Sequence, residues 1–355
     1  MILNPYLKMN GIKKMFLILF ISATCLSSKQ LTAQDLQADN MLLFQRSSGG
    51  WYKQFKGKSF NYNREFTADE KSEIADEVKA GAATIDNGAT CKEIRYLVKA
   101  YQEIKNPLYL EAAEKGIRYL LKAQYANGGF PQYYPDKGLY RNQITFNDNA
   151  MINAMKILSD VSLKENGFDI VNPKLVEPSS KAITSGIDCI LKTQIKVNGQ
   201  LTAWCQQYDE VTLQPAKARA YELPSLSASE SVGIVEFLMA QKEVSIAMKE
   251  SIDAAVVWLK VVKIEGYKFE SPASANVNEK KDRQLIADAS APAIWARYYE
   301  IGTNKPFFCD RDGIVKYAVS EIGYERRNGY AWYGKWPENL LVKNYPKWLK
   351  LHENK

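Results

Sequence analysis

The 355-residue chain has a single histidine, His352, close to its C-terminus. Serine–histidine and cysteine–histidine catalysis, histidine metal sites and imidazole acid–base pairs are therefore excluded together. Chemistry must fall to Asp, Glu, Lys, Arg or Tyr, or to a hard cation held by oxygen ligands. Two polar knots offer such oxygens: Thr84-Ile85-Asp86-Asn87-Gly88 and Thr145-Phe146-Asn147-Asp148-Asn149. Each opens onto an apolar helical run, where a short polar side chain ordinarily caps the unpaired N–H groups of the first turn. One residue suffices for a cap, and each knot carries two in a row. Asp86, Asn87 and Asp148 are thus candidate ligands for calcium or magnesium, with helix capping as the plain alternative.

A second group gathers Asp209, Glu210, Lys217, Arg219, Tyr221 and Glu222 in one short stretch. Such mixtures commonly form structural ion pairs. The functional reading is a basic group beside a metal, facing an anionic ligand, with Arg283, Arg297 and Arg311 as further cations. Arginine is suited to gripping a planar carboxylate at two points. A carboxylate pair such as Asp148 with Asp209 or Glu222 would suit glycoside hydrolysis instead. A non-catalytic binder of acidic glycans is a third class. Residue types alone leave these open.

The elements that must position these side chains are mostly helical. Apolar spacing of 3.6 predicts helices near 89–101, 108–124, 150–163, 180–194, 231–239 and 250–262. Asn106-Pro107 ends the first, because proline clashes with the preceding turn. An internal repeat runs through them. Ile117-x-x-Leu120-Leu121-Lys122-Ala123-Gln124 is echoed by Ile187-x-x-Ile190-Leu191-Lys192-Thr193-Gln194, and Gly129-Phe130-Pro131-Gln132-Tyr133 by Trp204-Cys205-Gln206-Gln207-Tyr208. Helix pairs recurring in this way predict a toroid or bundle in which each pair buries its apolar face against the next. The helix-opening knots then converge on one rim, bringing Asp86 towards Asp148. Short strands are expected at 200–204 and 211–213, a helix at 292–301, and an irregular arm or lid over 34–70.

Residues 1–33 have the layout of a secretory signal peptide: Lys13-Lys14, an apolar run from Met15 to Cys25, then Leu31-Thr32-Ala33. The run is too short to span a membrane, and the stretch before Cys25 fits a lipoprotein signal poorly. A secreted or periplasmic protein is expected. The leader holds four lysines and no acid, so its loss takes the net charge from +7 to +3. That excludes a strong field for nucleic acid or membrane. Cys91, Cys189, Cys205 and Cys309 match no zinc or redox spacing and are either bridged or buried thiols. The 21 tyrosines and 7 tryptophans suit sugar stacking as well as a core.

Several longer motifs now become specific. NGGFPQYY (127–134), ITFNDNA (144–150), WCQQYDEVTLQPAKARAYE (204–222), PSLSASESVG (224–233), WARYYE (295–300) and RRNGYAWYG (326–334) occur in order across about 70–345. Together they resemble polysaccharide lyase family 10, the bacterial pectate lyases. The resemblance implies a mainly α fold, an (α/α)3 toroid with a second region of irregular loops and short strands, within a catalytic domain at 71–355. It implies cleavage of α-1,4-linked polygalacturonate by β-elimination with Ca2+, acting as a monomer. By the same resemblance, Asp148 looks like a calcium ligand with Asp86 and Asn87 close by, and Arg219 like the catalytic base. Arg297 and Arg311 look like holders of substrate carboxylates, with Lys217, Asp209 and Tyr221 as further substrate contacts. Tyr208 departs from the family pattern, where histidine is expected, which puts any contact by that ring in question.

Overall fold

Helix α1 (Leu36–Phe44) begins at Asp35, whose carboxylate accepts the Ala38 N–H at 3.0 Å. The computed structural model describes residues 34–136, 138–272 and 281–352. The leader expected at 1–33 lies outside the described residues. Where an irregular arm was expected, α1 buries Ala38, Met41 and Phe44 in the main core. Tyr109 donates to Asp39 at 2.7 Å, tying α1 to the helical body. Phe55, Phe60, Tyr62 and Phe66 close around Phe44 with ring centroids 4.5–5.9 Å away. The segment is thus core, because its aromatic residues have nowhere else to be buried. A short helix α2 (Ala68–Glu77) follows, started by a capping box between Thr67 and Glu70.

Three helical hairpins come next. They are α3 (Cys91–Ile104) with α4 (Pro107–Ala123), α5 (Ala150–Leu163) with α6 (Val176–Thr193), and α7 (Ala228–Met239) with α8 (Ile246–Val261). The first turn-around shows why they form. Lys105 ends α3 in the left-handed region, Asn106 caps α4 by accepting the Leu108 N–H, and Pro107 takes the first helical position. Helices α3, α5 and α7 pack in succession, as do α4, α6 and α8. Helix α5 is central: Ala150, Met151, Ile152, Ala154, Met155, Ile157 and Leu158 are all fully buried. So wide an apolar face, with Lys156 left to solvent, is one that several neighbouring helices cover. The expected mainly α, (α/α)3 toroid-like fold is borne out. No helix among the described residues is long and apolar enough to cross a membrane.

The break at Asn127-Gly128-Gly129 is a packing requirement. Gly128 has φ +89°, and a Cβ there would lie 1.9 Å from the Ser185 carbonyl oxygen of α6. Only glycine permits both the conformation and the approach. Beyond it, two-residue ladders lace the repeats together: Ala83–Thr84 with Tyr133–Tyr134, Ile144–Thr145 with Gln207–Tyr208, and Leu226–Ser227 with Tyr298–Tyr299.

Two local expectations fail. The helix expected at 292–301 is instead a pair of strands, Trp295–Ala296 and Tyr298–Tyr299. Every residue from 295 to 299 is buried, leaving no polar face for a surface helix, and the backbone is satisfied elsewhere: the Arg297 N–H donates to Trp332 at 2.7 Å and its carbonyl accepts from Ala228 at 3.1 Å. The strand expected at 211–213 is a turn, whereas Gln200–Leu201 does form a hairpin with Lys196–Val197. Among the described residues, the cysteines Cys91, Cys189, Cys205 and Cys309 are buried free thiols.

Candidate active site

The two knots share one backbone solution. Asn87 (φ 50°, ψ 32°) and Asp148 (φ 50°, ψ 29°) both sit in the left-handed region, followed by Gly88 and Asn149 at positive φ. Asn, Asp and Gly tolerate this conformation where larger side chains are strained. Asn149, at the cap position of α5, makes no side-chain bond to the first turn, and Asp148 accepts from Asn147 at 3.1 Å. The helix-cap alternative therefore does not account for these residues. Both knots meet at one rim, and the structure brings Asp86, Asn87, Asp148 and Arg219 into one small polar cleft with Lys53, Gln132 and Glu222.

Electrostatics divide the cleft. Asp86 is buried and carries an ion pair to Lys53. Burial pulls the Lys53 pKa down, but the Asp86 bond outweighs it and the net shift is upward. Asp148 keeps 40 % of its side chain exposed; partial withdrawal from water raises its pKa, opposed by Arg297 at 3.8 Å. Arg297 is itself held by buried Glu230 at 2.5 Å and by Asn147 at 3.2 Å. Arg219 is clamped by the buried carboxylate of Glu222, with Nε at 2.6 Å from Oε2 and Nη2 paired with Oε1. Burial works against its charge, yet the Glu222 bond prevails and its pKa rises above the ordinary arginine value.

Cations and rings alternate along one wall. The Tyr221 ring lies 4.7 Å from the Arg326 guanidinium and 5.2 Å from that of Arg219. The Tyr330 ring lies 6.0 Å from Arg219 and 5.0 Å from Arg297. Faces of tyrosine rings attract cations and hold the guanidinium planes apart from one another. The wall ends at Asp148.

Other expected residues are placed differently. Lys217 is exposed beside this wall and forms no ion pair among the described residues, while its carbonyl accepts from Gln143 at 3.0 Å. Arg311 lies outside the cleft lining, on the surface, paired with Glu325 at 3.1 Å. Asp209 does not reach the cleft: its Oδ1 accepts from the N–H groups of Val211 and Thr212 and from the Thr212 hydroxyl, which makes it the brace of a turn. Tyr208 is fully buried, its hydroxyl accepting the Cys205 N–H at 2.6 Å. Tyr299 repeats that bond with Ala296 at 2.9 Å, so the ring at 208 locks a loop. Sequence reasoning missed Lys53, which lies in the segment read as an arm, and Gln132, which the repeated glutamine pattern had contained.

The donor set suits a hard cation. Asp148 and Asn87 present oxygens to the cleft, and Gln132 Oε1 is buried there without a partner. Among the described residues no three His, Cys, Asp or Glu side chains form a metal cage. A calcium ion, which takes six to eight oxygens, would here draw some from water or ligand.

The fold that carries this site has counterparts among solved structures. A family 10 polysaccharide lyase from Cellvibrio cellulosa has 35 % identical sequence, with 88 % of this chain and 90 % of that one covered and a TM-score of 0.76. An aspartate-to-alanine mutant of the Cellvibrio enzyme in complex with trigalacturonic acid matches over 88 % and 91 % of the two chains, at 35 % identity and a TM-score of 0.75. No curated protein matches the chain. The protein is a polysaccharide lyase. The family profile for pectic acid lyases matches residues 45–341, and the chain belongs to that family.

Proposed function

We propose that this lyase cleaves α-1,4-linked polygalacturonate by calcium-assisted β-elimination, leaving 4,5-unsaturated oligogalacturonates. The observation that carries this reading is the wall Arg326–Tyr221–Arg219–Tyr330–Arg297 ending at Asp148. Its exposed member is Arg219, with Arg297 largely buried behind it, a cationic row facing a polymer that bears one carboxylate per sugar. Asp148, with Asn87 and Gln132 Oε1 beside it, would hold calcium, and Asp86 is charge-matched by Lys53. Bound calcium supplies positive charge that draws electrons from the carboxylate next to C5. Arg219, in its neutral form, faces the cleft and takes the C5 proton; as the electron pair moves to form the C4–C5 double bond, the C4–O bond breaks and its oxygen leaves with the bonding pair, taking a proton from water. Arg297 is oriented by Glu230 and Asn147 to meet a sugar carboxylate, with Lys217 as a second cation.

The raised Arg219 pKa makes it a strong but rarely vacant proton acceptor, so turnover should climb towards alkaline pH. The hydrolytic alternative is disfavoured, because Asp209 braces a turn and Glu222 is locked under Arg219. Export through the leader at 1–33 and action as a monomer belong to the same reading. The test is ultraviolet absorbance of the purified protein with polygalacturonate, with added Ca2+ and again with chelator. An unsaturated-product signal that disappears with chelator is expected, as is its loss in Arg219→Ala. New reducing ends without that signal would overturn the reading.

A further inference from the structure

Arg219 and Glu222 belong to one tight turn. The Glu222 N–H donates to the Arg219 carbonyl at 2.9 Å, and the Ala218 N–H donates to the Glu222 carbonyl at 3.0 Å. The side chains then meet edge to edge, with Nε and Nη2 of Arg219 on the two oxygens of Glu222, while the Arg219 N–H also reaches Oε2 at 3.2 Å. Exposure is lopsided: 43 % for the arginine side chain and 2 % for the carboxylate. Burying a carboxylate is costly unless it is fully bonded, and here Oε1 also accepts the Tyr330 hydroxyl at 2.9 Å. The Tyr330 and Tyr298 hydroxyl oxygens lie 2.5 Å apart, and the Tyr298 hydroxyl also meets the Gln206 side chain in the core. With Nε and Nη2 taken, Nη1 is the nitrogen of Arg219 without a partner among the described residues.

We propose that Glu222, held by Tyr330, is a positioning residue that fixes the guanidinium so that Nη1 is the nitrogen presented to the substrate C5 proton. This rests on the reading of Arg219 as base. The clamp anchors Arg219 to the helical core and stops the guanidinium from rotating about its long side chain. Proton abstraction needs near-attack geometry, and a misplacement of about 1 Å is enough to cost about a hundredfold. A partner that merely neutralises Arg219 needs charge but not reach. A positioning partner needs both.

The experiment compares Glu222→Asp, Glu222→Gln and Arg219→Ala in kcat and KM on polygalacturonate with Ca2+. Glu222→Asp keeps the charge but draws the carboxylate back by about 1.5 Å, one C–C bond. Both Glu222 variants should lose kcat roughly 10- to 100-fold with KM changed less than about threefold. In Glu222→Gln the alkaline limb of the rate should also move to lower pH, because the carboxylate that holds the arginine proton is gone. Wild-type kcat in Glu222→Asp overturns the proposal, since it would show that charge alone suffices. If Glu222→Gln does not fold, Glu222→Asp decides alone. If Arg219→Ala turns over normally, the base reading itself falls; if Arg219→Ala is inactive while both Glu222 variants keep wild-type kcat, only the positioning role falls.

Discussion

Glu93 allows a sharp test of the core beneath the site. It lies in the first turn of α3, fully buried, with Oε1 accepting the Tyr62 hydroxyl at 3.1 Å and Oε2 without a partner. Burial pushes its pKa from an ordinary 4.5 up to about 7, against the pull of Lys92 at 3.7 Å. The folded state therefore holds this proton more tightly than the unfolded chain. Its stabilising effect is complete below about pH 4.5 and is lost as pH rises through about 7. Each tenfold change in proton affinity is worth about 1.4 kcal/mol, so about 3 kcal/mol is lost across that window. Glu93→Gln stays neutral throughout and keeps an acceptor for Tyr62, but buries an unpaired amide N–H costing about 1–3 kcal/mol. Urea unfolding at pH 5 and pH 8 should show wild-type stability falling by about 3 kcal/mol more than that of Glu93→Gln. Equal pH dependence in the two proteins would refute the argument, because it would mean that Glu93 is already ionised in the folded state.

Two further outcomes follow from the geometry. Asp148→Ala should raise the calcium concentration needed for half-maximal turnover at least about tenfold, since a carboxylate oxygen at the cation would be gone; calcium titration by calorimetry checks this, and unchanged affinity would remove Asp148 from the ligand set. Gly128→Ala should cost about 3 kcal/mol or more in urea unfolding, because strain at positive φ adds to a 1.9 Å clash with the Ser185 carbonyl. Gly199→Ala shares the positive φ but meets nothing within 4 Å, so it should cost only about 1 kcal/mol.

Helix positions and the doubled knots were legible because both rest on local rules, a 3.6-residue apolar period and the tolerance of Asn, Asp and Gly for left-handed backbone. What escaped depends on distant partners. Trp295-Ala296-Arg297-Tyr298-Tyr299 reads as helical only if a helix can hide all of its faces; pairing with 226–227 and 333–334 makes it extended. Lys53 acquires its place from Asp86, 33 residues on, through a segment whose aromatic residues showed no periodicity. Glu222 was visible as a carboxylate, but its attachment to Arg219 is a fact of turn geometry. Asp209 sits in a specific motif because the turn needs it, which sequence cannot separate from contact with substrate.

The ladders explain why three similar repeats yield one site. Thr84 pairs with Tyr133, Thr145 with Gln207, and Ser227 with Tyr298. Three residues beyond each first strand residue stand Asn87, Asp148 and Glu230; one residue before each partner stand Gln132, Gln206 and Arg297. The repeats thus offer an amide with an amide, an acid with an amide, and an acid with an arginine. In the third, Glu230 is cancelled by Arg297 at 2.5 Å, and no cation has reason to bind there. In the second, Gln206 is a neutral amide turned to Tyr298, and the ion-pair partner of Asp148 is Arg297, at 3.8 Å. The rim therefore passes from oxygens that favour a cation to guanidinium groups that favour a carboxylate, and Asp148 stands at the junction. The acid group of a uronate sugar would meet both neighbours at once only where Asp148 of the second repeat faces Arg297 of the third, 3.8 Å away.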